Sequence, residues 1–180
     1  MAAAVPQHEQ ARMQVKPLTL QDVSAYRRLM LHAYVHAADA FTSTAEERAA
    51  EPDSWWEKRI ADSRGAGLAF GAFRDADLVG SVALGFSCKP KTRHQALVVG
   101  MYVLDHARGS GLGRALLHTA IAHARARGDI KTLTLTVTEG NEPAVTLYRH
   151  AGFEVFGTEP MAILTPAGFK AKLHMWRRLE

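Results

Sequence analysis

Gln95-Ala96-Leu97-Val98-Val99-Gly100-Met101-Tyr102-Val103-Leu104, followed after Asp105-His106-Ala107 by Arg108-Gly109-Ser110-Gly111-Leu112-Gly113-Arg114, decides how the rest of the chain is read. The first run is almost continuously apolar, which predicts a strand over 95–104 buried on both faces. Gly100 inside it predicts a bulge or a close backbone approach. The second run sets three glycines in five residues between that strand and an amphipathic stretch from Gly111 to Arg127. In that stretch Leu112, Ala115, Leu116, Ala120 and Ala124 share a face, as in a helix packed on a core. Glycines let backbone amides approach a ligand with no Cβ in the way, and a helix start adds unbonded N–H groups at a positive dipole end. With Arg108 and Arg114 flanking it, the bend is a cradle suited to an anion such as a pyrophosphate.

The two common nucleotide loops do not fit this bend. No Gly-x-x-x-x-Gly-Lys-Ser/Thr run occurs. A Gly-x-Gly-x-x-Gly fingerprint would put its third glycine at Arg114, and its ribose-binding acid, Asp129, would precede its strand rather than end it. A plain tight turn with close helix packing is the alternative.

Outward from this point the elements alternate. Gln14 to Leu18 reads as a short edge strand, and Asp22 as the cap of a helix to about Ala38. Asp53 or Ser54 caps a second helix through Trp55, Trp56 and Ile60. Leu68 to Phe73 and Leu78 to Phe86 form strands around the turn at 74–77. Thr132 to Thr138 alternates leucine and valine against threonine, the period of a strand. Asn141 caps a helix with Ala144, Leu147, Tyr148 and Ala151 on one face, and Gly152 ends it. Phe153 to Leu164 and Phe169 to Leu179 close the chain as a hairpin. The sum is a mixed α/β sheet with helices on both faces. Residues 1–12 are expected to be a flexible terminus and 13–180 one domain.

Composition narrows the function classes. The 180 residues are 47% hydrophobic and 22% charged, which is globular. One cysteine, Cys88, excludes an internal disulfide and a Cys-rich zinc ribbon, and fits a reducing cytoplasm. No apolar run approaches the roughly 20 residues of a membrane helix, and Met1 to Pro6 lacks the basic start of a signal peptide. The 22 basic and 18 acidic residues, net +4, suit an anionic ligand. No nucleic-acid motif appears, so neither nucleic acid nor membrane is expected as a partner.

Arg108-Gly109-Ser110-Gly111-Leu112-Gly113 resembles the Arg/Gln-x-x-Gly-x-Gly/Ala signature of the GCN5-related N-acetyltransferases (GNAT). Met101-Tyr102-Val103 is similar to the family's fourth strand. Asn141, Ala144, Leu147-Tyr148 and Gly152-Phe153 fit its Asn-x-x-Ala-x-x-Leu-Tyr-x-x-x-Gly-Phe segment, and Lys172-Leu173-His174-Met175 resembles its seventh strand. The resemblance spans about Gln14 to Leu179. It implies one GNAT-like α/β domain: a mixed, mostly antiparallel sheet of six to seven strands, splayed between the fourth and fifth, with about four helices on both faces.

The resemblance also implies acetyl-coenzyme A (acetyl-CoA) as cosubstrate, a primary amine on a small molecule or on a protein or peptide as acceptor, and no metal. Backbone groups at Met101 and Val103 would pair with the pantetheine arm. The bend from Arg108 through Gly109, Ser110, Gly111, Leu112 and Gly113 to Arg114 would hold the pyrophosphate, with Asn141 as a further coenzyme contact. Tyr148 would be the general acid for the leaving thiolate. Many relatives pair as dimers, so a homodimer is an allowed state.

The base is where the sequence departs from the family. Some members carry a glutamate five residues before the asparagine, which is Thr136 here. Others carry one on the fourth strand, which from Ala96 to Leu104 has no carboxylate. His94, Asp105, His106, Glu139 and ordered water remain as candidates. Phe41, Trp55 and Trp56 are read either as an acceptor wall or as core, and Glu46, Glu47 and Glu51 either as attracting a cationic acceptor or as plain surface. A module that binds coenzyme A without transferring anything is the alternative function.

Overall fold

A computed structural model describes residues 12–180; the expected flexible stretch lies almost wholly outside the described residues. Seven strands form one sheet: β1 (Met13–Pro17), β2 (Gly67–Arg74), β3 (Asp77–Phe86), β4 (Gln95–Val103), β5 (Thr132–Thr138), β6 (Glu154–Thr165) and β7 (Gly168–Arg178). Their order is β1-β2-β3-β4-β5-β7-β6, and every neighbouring pair is antiparallel except β4 and β5. Five helices complete the fold: α1 (Val23–His36), α2 (Ala45–Ala49), α3 (Asp53–Ala61), α4 (Leu112–Ala126) and α5 (Glu142–His150).

Side chains alternate across a strand, and here they feed two cores. On β2, Phe70 and Ala72 join the cluster under α4 and α5, whereas Ala69 and Phe73 join the cluster under α1 and α3. Leu116, Leu117 and Ala120 of α4 are completely buried in the first. Tyr26, Ala33, Trp56 and Ile60 fill the second. Full burial of each leucine contributes about 1.5–3 kcal/mol, enough to fix α4 against the sheet.

Three local expectations are corrected. Strand β4 is not buried on both faces: Leu97 is 44% exposed, and Val99, Gly100 and Met101 are only half-buried. The apolar run exists because those side chains line an opening in the sheet. Asp22 holds the N-cap position of α1 but its side chain makes no capping bond there; its carboxylate accepts from Thr19 N and Oγ1 at 2.8 and 3.0 Å, closing a 3₁₀ turn that precedes the helix. Helix α3 starts after Pro52, and Asp53 pairs with Arg27 at 2.8 Å. The short α2, absent from the sequence reading, depends on a capping box between Thr44 and Glu47.

Gly100 does mark a bulge. Ala83 faces Val99 and Ser81 faces Tyr102, so β4 has one residue more than β3 across this step. Gly100 has φ +62, a conformation that glycine adopts without Cβ strain. The extra residue turns the end of β4 away from β5. Ser81 Oγ donates to Gly100 O at 3.0 Å and holds the bulge from beneath.

A second glycine sets the position of α3. A Cβ on Gly67 would stand 2.6 Å from the Lys58 carbonyl oxygen. Helix α3 therefore ends hard against the start of β2, with Asp62 N donating to Gly67 O at 3.1 Å. Gly67→Ala is expected to destabilise the fold by about 1–3 kcal/mol, the usual cost of overpacking. Gly85→Ala, where a Cβ meets nothing within 4 Å, is expected to stay within about 0.5 kcal/mol of wild type. Urea denaturation of the two variants checks this; equal midpoints would show that the α3–β2 contact yields freely.

Candidate functional site

Parallel pairing of β4 with β5 covers three residue pairs, Gln95–Thr132, Ala96–Leu133 and Leu97–Thr134, and then stops. Beyond Leu97 the strands part, since β5 continues along β7 to Thr138 while β4 follows β3 past the bulge. A cavity of about 320 Å³ occupies the gap. Its lining comes from both faces of the sheet: Tyr34, Phe41, Arg48 and Arg59 from the α1–α3 side, and Asn141, Ala144 and Tyr148 from the α5 side.

Tyr148 is 7% exposed, and burial pushes its phenol up to about 12. A raised value for a neutral acid means the proton is retained throughout the neutral range. Val145 and Ala151 pack beside it in the core, and Phe153 meets its ring edge at 6.0 Å. Asn141 sits at the start of α5, where Oδ1 accepts from Ala144 N at 3.4 Å. It caps the helix and lines the cavity at once. Met101 reaches the same cavity from β4.

The glycine bend lies at the far side of Met101. Gly109 and Gly111 have φ +76 and +82, so both positions favour glycine. Gly113 faces Met101, Leu147 and Val103, with a built Cβ 3.5 Å from Met101 Cε, an ordinary contact distance, so α4 begins beside β4 and α5. The first helical bond of α4 runs from Ala115 N to Gly111 O at 3.0 Å, which leaves the amides of Leu112, Gly113 and Arg114 at the open helix start. Leu112 is 4% exposed, so only its backbone is offered. Ser110 Oγ donates to Ala107 O at 2.6 Å and stiffens the turn.

Arg108 is folded back rather than free: it pairs with Asp105 at 2.9 Å, donates Nε–H to Val103 O at 3.0 Å and lies over Tyr102. The carbonyl of Val103 thus already has an internal partner. Arg114 is exposed and, with His118, Leu147 and His150, lines a groove between α4 and α5. Met101, Asn141 and Tyr148 therefore converge on one cavity, and the bend adjoins it through Gly113 and Met101.

The base candidates do not converge there. His94 precedes the paired end of β4, Asp105 is bound to Arg108, and His106 is exposed beside Asp105. Glu139 lines the neighbouring groove with Asp39, Asn141 and Lys170. Among the described residues no cluster of His, Cys, Asp or Glu could hold a metal ion. No helix there is long and apolar enough to cross a membrane.

Sequence reasoning missed the residues that close the α1–α3 side of the cavity. Thr138 Oγ1 donates to Asp39 O at 2.7 Å, Lys170 pairs with Asp39 at 2.5 Å, and Lys172 Nζ donates to Thr42 Oγ1 at 2.9 Å. These bonds tie segment 38–44 across the ends of β5 and β7. Phe41 does line the cavity, and Trp56 is core at 1% exposure. Trp55 does not line the cavity but packs half-buried against the second core, and its ring supports both cavity arginines, with Arg48 at 4.5 Å and Arg59 at 4.9 Å. Glu47 is taken by its capping box and Glu51 by Arg48. The charge pattern that signals this wall is spread along the chain from Arg48 to Lys172, and only the fold assembles it.

Comparison with known proteins agrees with this geometry. Residues 30–153 match the model of the acetyltransferase (GNAT) family. A mycothiol acetyltransferase from Cellulomonas flavigena is 33% identical over 95% of this chain, which spans 51% of that relative's length. The L-amino acid N-acetyltransferase AaaT from Escherichia coli is 29% identical over 59% of this chain and 64% of its own. Among solved structures, yncA from Salmonella typhimurium, determined with its cofactor acetyl-CoA, superposes with a TM-score of 0.79 at 20% identity, covering 94% of this chain and 95% of that one. A sheet that parts beside a glycine bend, the family match through both, and one-third identity across nearly the whole chain place this protein in the acetyltransferase (GNAT) family.

Proposed function

We propose that residues 13–180 form an acyltransferase domain that moves the acetyl group of acetyl-CoA onto a primary amine by direct attack. The observation that carries this reading is the wedge between β4 and β5, with Met101, Asn141 and Tyr148 converging on it. Strand edges at the wedge have unpaired backbone groups, and such groups bind an extended chain by adding it as a strand. Met101 serves the pantetheine arm this way; Val103, already bonded to Arg108, contributes through its N–H or a second lone pair. The open amides at 112–114 and the glycine turn at 109–111 serve the pyrophosphate, with Arg114, which has no ion pair among the described residues, as the cation. Arg108 shapes the turn.

In the transfer step the acceptor nitrogen attacks the thioester carbonyl, a C–N bond forms and the C–S bond breaks. Tyr148 gives its proton to the departing sulfur and regains one from solvent. The proton lost by the amine leaves through water, since no carboxylate lines the cavity. Direct attack is favoured over an acyl-enzyme because Cys88 is an exposed residue beyond β3 and the cavity contains no cysteine. Thr138 and Ser43 hydroxyls there are committed to Asp39 O and Arg48.

Two outcomes are expected. Tyr148→Phe keeps the packing and removes only the acid, so kcat falls about 100-fold or more while the acetyl-CoA dissociation constant measured by calorimetry holds within about twofold. In wild type, activity shows no falling limb near pH 10, the ordinary phenol value, because burial holds Tyr148 protonated to about 12. Unchanged kcat in Tyr148→Phe would remove the acid from the mechanism. For the bend, Gly111→Ala puts an alanine in the left-handed region at about 1–2 kcal/mol; the free turn relaxes out of that conformation and binding has to restore it, so acetyl-CoA binds roughly tenfold more weakly. Acetyl-pantetheine, which lacks the pyrophosphate, binds wild type and variant alike in the same titration.

A further inference from the structure

The wall of the cavity carries charge of one sign. Arg48, Arg59 and Lys172 line it, and no aspartate or glutamate does. The three cations are poorly balanced. Arg48 shares Glu51 at 3.5 Å, gives Nη2–H to Ser43 Oγ, and keeps a buried Nε with no partner. Arg59 has no carboxylate within ion-pair distance among the described residues. Lys172, 8% exposed, donates to the Thr42 hydroxyl and stands opposite Glu159 on β6, with no carboxylate within ion-pair distance among the described residues. The acids nearby are occupied: Asp39 by Lys170 and Glu159 by His174. One buried and two half-buried cations that outnumber their carboxylates are costly unless something balances them. The coenzyme's phosphates do not, because the bend that suits them lies beyond Met101 on the α4 side of the sheet.

Two further features favour an anion of defined shape. Both guanidiniums rest on Trp55, which fixes their planes, and a fixed guanidinium plane matches a carboxylate through two parallel bonds. Tyr34, Phe41, Leu97 and Val99 give the wall an aromatic and aliphatic stretch beside these cations. We propose that the acceptor is a small amino acid, its carboxylate bound by Arg59 with Arg48 and Lys172, its side chain against the apolar wall and its amine turned to the thioester.

This rests on the transferase reading and accounts for the missing base. A positive wall disfavours an ammonium beside it. The amine is therefore neutral more often than in water, and solvent suffices to take its proton. The same wall repels polyamines.

The test compares each of the twenty L-amino acids with its own carboxamide, and with spermidine, by thiol release from acetyl-CoA. The amide retains the side chain and its amine is less basic, so chemistry alone favours the amide. Recognition of the carboxylate reverses that order: for the best pair the acid leads by tenfold or more in kcat/KM. In Arg59→Gln the lead collapses to within about threefold while the acetyl-CoA dissociation constant is unchanged, and Arg59→Lys recovers part of it. Amides or spermidine equal to the acids in wild type, or a lead that survives both Arg59→Gln and Lys172→Gln, would overturn the proposal. The transferase reading is judged separately, by calorimetry of acetyl-CoA with wild type. If no acceptor turns over, titration of N-acetyl-L-phenylalanine and N-acetyl-L-leucine against their amides decides the anion site: at least tenfold tighter binding of an acid, lost in Arg59→Gln, supports it, and equal binding refutes it.

Discussion

Every functional feature of this protein depends on a pairing that stops early. Parallel strands are evenly bonded as long as they run together. Here β4 and β5 share three residue pairs and then follow different neighbours. The cause is local: Gly100 inserts an extra residue against β3, and that residue requires a positive φ that glycine supplies. A sheet interrupted at its edge would lose one strand. Interrupted in the middle, it keeps both halves because β4 has β3 and β5 has β7 as antiparallel partners. The opening is thus framed by strands that are each held rigidly on their other side.

That frame separates the two halves of the site by sheet face. The glycine bend, α4 and α5 belong to one core, and α1 to α3 to the other. On the first side stands Tyr148, whose phenol burial keeps protonated. On the second stand the cations Arg48 and Arg59, both resting on Trp55. Lys172 reaches the cavity from β7, and burial lowers its affinity for a proton. A ligand that enters between the strands meets an apolar passage between two polar ends, so opposite electrostatic demands do not compete for the same few ångströms.

Much of this was legible in the chain before folding. Strand β5 alternates with such regularity that its bounds, Thr132 and Thr138, are read correctly from period alone. Asn141 and Gly152 fix α5 because capping depends on neighbours within a few residues. The site was legible where it is local: the bend and Tyr148 lie on contiguous motifs. It was illegible where side chains from distant segments meet. Continuous hydrophobicity in β4 suggested burial on both faces, since a run of valine and leucine looks the same whether it meets protein or lines a ligand passage. Glu46, Glu47 and Glu51 could be read either as attracting a cation or as plain surface, and sequence alone did not show that two of them serve as a helix cap and a partner for Arg48.

Trp55 shows how a residue can act on a site it does not line. Neighbouring Trp56 is the buried one, and the two rings meet edge to face at 4.9 Å. That contact ties the orientation of Trp55 to the core. Arginine side chains carry about 2 kcal/mol of rotamer entropy each, which a ligand would otherwise have to remove on binding. Stacked on a ring that the core already orients, the two guanidiniums have lost much of that freedom before any ligand arrives. The helix α3 is itself set by Gly67, whose missing Cβ lets the Lys58 carbonyl approach β2. A methyl group's worth of space at one strand end therefore fixes a helix, the helix fixes a ring, and the ring fixes the charges that face the passage between β4 and β5.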